Sequence, residues 1–266
     1  MATDDRAAAL AALRWHLEAG ADETIAEAPV DRYAASTEAT AAAQPRAGPV
    51  ASAAPPPSAA EEIDPVRIAE QAAAAAGTLP ALEAALAGFA HCDLKQGARH
   101  LVFADGRPGA RVMIVGEAPG RDEDLEGRPF VGRAGRLLDA MFAAIDMGRD
   151  HPDLARALYI TNILPWRPPR NRDPEAAEIA MMKPFVNRHV ALADPEILVL
   201  MGNSSCHAML GRRGITRLRG TWAEVLGRPC LPMFHPAYLL RNPAAKREAW
   251  ADLLELQSRL RKEPAP

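Results

Sequence analysis

Only three cysteines occur in 266 residues. Cys92, Cys206 and Cys230 form neither a CxxC spacing nor an even set. That weighs against a disulfide framework and points to a reducing, cytoplasmic setting. No run reaches the roughly 18 consecutive apolar residues of a membrane span, so no membrane association is expected. The opening Met1-Ala2-Thr3-Asp4-Asp5 lacks the basic stretch of a secretory leader. An excess of positive charge is missing as well, since the formal net charge is −3. The deficit is local. Residues 1–80 carry 5 Lys or Arg against 12 Asp or Glu, which leaves 26 basic against 22 acidic side chains on the remainder. A mildly basic body behind an acidic extension is compatible with phosphate contact.

With 48% apolar residues, the chain has enough to bury one full-sized core and carry an appendage. Residues 1–27 are expected to form an N-terminal helical segment, with Leu10, Leu13, Trp15 and Leu17 set among alanines. This reads either as a plain tail or as a docking helix for a protein partner. Residues 28–65 shift to Ala, Pro, Ser and Thr, including Pro55-Pro56-Pro57, the composition of a disordered linker. Residues 66–262 form the folded domain. Arg67 to Ala87 is alanine-rich and helical, broken near Gly77–Pro80. Then strands and helices alternate. Strands are expected at Arg111–Val115, Leu158–Ile163, Ile197–Met201 and Cys230–Phe234. Helices are expected at Ala134–Met147, Pro174–Leu192, from Ser204, and at Lys246–Leu260. Short apolar strands alternating with helices predict a parallel sheet covered on both faces. Ligands in such folds bind beyond the carboxyl ends of the strands.

The segments after the strands therefore matter most. Gly116-Glu117-Ala118-Pro119-Gly120 follows the first strand and brings the backbone close to any ligand, although a plain turn has the same composition. Neither GxxxxGK[ST] nor GxGxxG occurs there, which disfavours a phosphate-binding module. Phe130 lies on a loop among glycines, prolines and arginines, where it suits stacking on a flat ring or simple core packing. Asn162 ends the second strand with a donor and an acceptor together, or serves as a strand cap. His235, fixed by Pro236 at the last strand end, is placed to stabilise negative charge or to act structurally.

In combination these segments are far more specific. GEAPG at 116–120, GRPFVGRAG at 127–135, TN at 161–162, RPPRNRDP at 167–174, ITRLRG at 215–220 and HPAYLLRNP at 235–243 share one order and spacing. The chain in this respect resembles the family 4 uracil-DNA glycosylases over roughly residues 85–260. The resemblance implies a three-layer α/β/α sandwich around a four-stranded parallel sheet. It implies a monofunctional, monomeric hydrolase that removes uracil from single- or double-stranded DNA in base excision repair. Glu117, Asn162 and His235 would be catalytic. Gly116, Ala118, Phe130 and Asn162 would hold the base. Arg167, Arg170, Arg172, Arg219, Leu239 and Arg241 would contact DNA, with Leu239 filling the vacated stack. The family also carries a 4Fe-4S cluster on four cysteines. Here only Cys92 stands at a ligand position, while Phe89, Trp166 and Met182 occupy the other three. Ligation needs about four thiolates, so no cofactor is expected. The competing reading is a catalytically silent DNA-binding accessory protein on the same fold.

Overall fold

The computed structural model describes residues 64–262. The helix expected within 1–27 and nearly all of the 28–65 linker lie outside the described residues. Asp64 accepts hydrogen bonds from the Val66 and Arg67 amides, and Pro65 takes the first turn of helix α1 (Pro65–Ala75). Thr78 and Pro80 repeat the arrangement for α2 (Leu79–Gly88). The break read from Gly77–Pro80 is thus the junction of two capped helices.

Strands β2 (Val112–Gly116), β3 (Leu158–Asn162) and β4 (Ile197–Met201) are buried along their whole length. Their mainly apolar sequences are what a sheet covered on both faces requires. With β6 (Arg228–Met233) they form the parallel core, in the order β3-β2-β4-β6. Val112 stands opposite both Leu158 and Ile197. The sheet is wider than the four strands expected. β1 (Asp105–Gly106) adds antiparallel to β3, and β5 (Ala223–Val225) adds antiparallel to β6. At two and three residues, neither edge strand is long enough to show a period of two.

Strand alternation sorts the core into two layers. Met113, Val115, Leu198 and Leu200 pack with Leu82 of α2 and with Met182 and Phe185 of helix α6 (Ala176–Ala193). Val112, Ile114, Ile160 and Val199 pack with Leu138 and Phe142 of α5 (Arg133–Ala143) and with Leu253 and Leu256 of α10 (Lys246–Lys262). Each fully buried aliphatic side chain contributes about 1.5–3 kcal/mol, and the two layers together fix the sheet. Five short helices complete the chain: α3 (Leu94–Gly97), α4 (Arg121–Glu126), α7 (Gly202–Leu210), α8 (Ile215–Leu218) and α9 (Pro236–Arg241).

Arg219, which the resemblance assigns to DNA, has a different function in the fold. Its Nε donates to Asp252 Oδ2 at 2.8 Å, and its Nη2 bonds Asp252 Oδ1 and, at 2.9 Å, the Glu248 carbonyl. Asp252 is only 1% exposed. The guanidinium ties the end of α8 to α10 and so is committed to a buried partner. Arg219→Ala, which leaves that carboxylate unpaired, is expected to lower unfolding free energy by about 3 kcal/mol in urea titrations. The slope of DNA affinity against salt should stay unchanged. A shallower slope at unchanged stability would restore Arg219 to the DNA surface.

Candidate active site

The carboxyl ends of β2, β3, β4 and β6 open on a cleft of about 500 Å³. Glu117, Ala118, Phe130, Asn162 and His235 all line it, and so do Arg172 and Arg241. Residues spread over nearly 120 positions of chain thus meet at one rim. The register explains part of this. Beyond the paired strands, Ile163 N–H donates to the Gly116 carbonyl and Leu164 N–H to that of Glu117, both at 3.0 Å. The ladder continues into the loops and fixes Glu117 against Asn162.

Gly116 is the pivot of the cleft floor. A Cβ there would stand 2.3 Å from Asn162 Oδ1 and 2.6 Å from the Phe130 ring. Only glycine lets the amide and the aromatic ring approach so closely. Asn162 itself is 5% exposed, and among the described residues nothing hydrogen-bonds its side-chain amide. Its amide opens on the cleft, within reach of an incoming ligand. The lack of a partner argues against the strand-cap reading, since a cap would have its partner in place.

Phe130 is also buried, at 5% exposure, and has φ +55°. The left-handed region costs a bulky residue about 1–2 kcal/mol. The loop that carries it is stapled to the preceding one by Glu123. One carboxylate oxygen accepts from the Val131 and Gly132 amides at 3.0 and 2.9 Å, and the other from Gly120 at 3.1 Å. The sequence reading gave Glu123 no role. The Gly-x-x-Glu capping spacing was the signal available.

His235 caps α9. Its Nδ1 accepts from the Ala237 amide at 3.1 Å, so the neutral ring carries its proton on Nε2. Burial and then Arg241 lower its pKa to about 4. The imidazole is therefore neutral at physiological pH, and Nε2–H is its one donor. The Phe130 and His235 rings lie 5.4 Å apart at 29°. Glu117 accepts a 2.6 Å hydrogen bond from Ser204 Oγ on the first turn of α7. Burial pushes its pKa up, against the opposing pull of that bond. Ser204 went unread in the sequence because a serine after a strand end is unremarkable alone.

Two further expectations change. Leu239 is fully buried in the core, because 236–241 is a helix rather than an open loop and position 239 faces inward. Its neighbour Leu240 is 36% exposed. Arg172 reaches the cleft, but its guanidinium is held by Glu178 through contacts of 2.9 and 2.5 Å and by Glu175 at 3.1 Å. Arg167 bonds Asn171 and does not line the cleft, and neither does the exposed Arg170.

The donors do not fit a 4Fe-4S cluster. Phe89, Trp166 and Met182 are all buried in the apolar core that also holds Cys92, with the Phe89 ring edge-on to Phe185 at 5.4 Å. Burial pushes the Cys92 thiol up, which disfavours the thiolate that iron needs. Among the described residues no three His, Cys, Asp or Glu are grouped to hold a metal.

Comparison with known proteins agrees with this geometry. The profile of the uracil DNA glycosylase superfamily matches residues 103–254. A type-4 uracil-DNA glycosylase of Sulfurisphaera tokodaii is 38% identical over 169 residues, covering 59% of this chain and 73% of the relative. Type-4 enzymes of Thermotoga maritima (34%; 65% and 89% covered) and Archaeoglobus fulgidus (35%; 62% and 84% covered) are similar over the same body. The chain belongs to the uracil DNA glycosylase superfamily.

Proposed function

We propose that this chain is a monofunctional uracil-DNA glycosylase of base excision repair that works without an iron–sulfur cluster. The observation that carries the reading is an unpartnered Asn162 amide facing the same cleft as a neutral, Nε2-protonated His235 and the Phe130 ring. A uracil edge supplies what that amide lacks, since it presents a carbonyl acceptor beside an N–H donor. The base is unreachable inside a duplex and has to be everted, at a cost of a few kcal/mol. Phe130 then stacks on it.

The C1′–N1 bond breaks with its electron pair leaving on uracil, and positive charge develops on the sugar. His235 Nε2–H donates to the uracil oxygen that takes up the negative charge. A preoriented donor of this kind is typically worth about 3 kcal/mol. Because the ring is neutral, the proton stays on His235 and the donor is ready before reaction. Glu117, held by Ser204, accepts a hydrogen bond from the water that attacks C1′, and Ala118 leaves room for it. Water adds its oxygen to C1′, and its proton balances the departing uracil anion. The products are free uracil and an abasic site.

Leu240, exposed beside Arg241, fills the vacated stack in place of the buried Leu239. Arg167, Arg170 and Arg241 contact phosphates of single- or double-stranded DNA. The catalytic domain spans 66–262 and acts as a monomer, with the segment at 1–27 offered to a protein partner. Three free, buried cysteines suit the reducing cytoplasm. No described helix is long and apolar enough to cross a membrane. A silent accessory protein would have no use for an amide kept free of partners on the cleft.

A labelled oligonucleotide with one uracil, treated with alkali after incubation, tests the reading. Cleavage insensitive to EDTA is expected, with Asn162→Ala and His235→Ala each reducing kcat by about 10²–10³. Intact substrate in both single and double strands would support the accessory role instead. Anaerobically purified protein is expected to contain no stoichiometric iron and no visible thiolate-to-iron absorbance. Four irons per chain would refute cluster-free action.

A further inference from the structure

Phe130 stands in a left-handed conformation that a bulky residue does not keep unaided. The contacts that hold it come from outside the cleft. Arg149 Nη2 donates to the Phe130 carbonyl and Nη1 to the Pro129 carbonyl, both at 3.0 Å. The same carbonyl rests on α5, where a Cβ at Gly135 would lie 1.7 Å from it. Arg149 is 8% exposed and is aimed by two carboxylates. Asp105 Oδ2 accepts from Nη1 at 2.6 Å, and Asp139 Oδ1 accepts from Nε at 3.0 Å and from Nη2 at 2.9 Å. The planar fork thereby spans two successive peptides, a geometry that the point charge of a lysine does not reproduce.

We propose that Arg149 is a positioning residue that presets the Phe130 ring as the stacking face for the everted base. It touches neither base nor DNA and acts through the Pro129–Phe130 peptides alone. The proposal rests on the reading of Phe130 as the stacking residue. It adds that the ring is in place before DNA arrives, so that binding does not have to pay for ordering it.

A double-mutant cycle of Arg149→Lys and Phe130→Ala tests it, read by affinity for two duplexes. One carries a single pseudouridine, whose carbon–carbon glycosidic bond is not hydrolysed. The other carries a tetrahydrofuran abasic analogue with no base to stack. Arg149→Lys is expected to weaken the pseudouridine duplex about tenfold, a large part of one base–aromatic stack. The abasic duplex should bind as before, and the double variant should bind no worse than Phe130→Ala alone. Multiplying losses, or equal weakening of both duplexes, would overturn the proposal and leave Arg149 a general structural tie. If Phe130→Ala itself retains full pseudouridine affinity, the stacking reading fails first. Should Arg149→Lys not fold, Asp139→Asn loosens the same guanidinium from a half-exposed partner. It is expected to shift the two affinities in the same unequal way, and an equal shift counts against the proposal.

Discussion

A side-chain amide held open to the cleft, with no partner among the described residues, is the constraint around which the cleft is arranged. Asn162 ends a wholly buried strand, and its side chain meets the Phe130 ring over a glycine that has no room for a Cβ. A folded chain ordinarily pairs such a group. Left open to the cleft, it stays available to a ligand with the complementary edge. The left-handed Phe130 is a local cost at the same place. Both are sustained by the sheet, whose central strands are buried on both faces and whose register runs on into the loops.

The other polar groups around the cleft hold things still. Glu123 staples two loops through three backbone amides, Ser204 holds Glu117, and the Ala237 amide fixes the tautomer of His235. Arg149 grips the aromatic loop from behind. Catalysis by oriented donors needs such supports, because a donor that must reorganise during reaction loses much of its effect. At the positions that the family resemblance assigns to cluster ligands, Phe89, Trp166 and Met182 make apolar packing, beside an Arg172–Glu178 pair. These contacts are made of ordinary side chains and need no metal to form.

Much of this was legible in the sequence, for a definite reason. β2, β3 and β4 are mainly apolar runs that end in or lead into glycine or asparagine, and such runs show both a buried strand and the place where its loop begins. Glu117, Phe130, Asn162 and His235 were found because each directly follows or closes a strand, or lies on the loop between. What was missed depends on contacts distant in the chain. Leu239 looked exposed because a six-residue helix has too few positions to show its inward face. Arg219 looked like a DNA contact because Asp252, its partner, lies 33 positions away. The edge strands β1 and β5 are too short to carry a pattern. Arg149 acts on backbone carbonyls, which leave no trace in side-chain spacing.

The central claim is that Phe130, Asn162 and His235 are set to grip one pyrimidine at the carboxyl rim. A crystal structure of the protein with free uracil tests it most directly. The account predicts uracil parallel to the Phe130 ring, its N–H and carbonyl edge paired with the Asn162 amide, and an oxygen on His235 Nε2. Uracil bound elsewhere, or in the cleft but touching none of these three side chains, would contradict it.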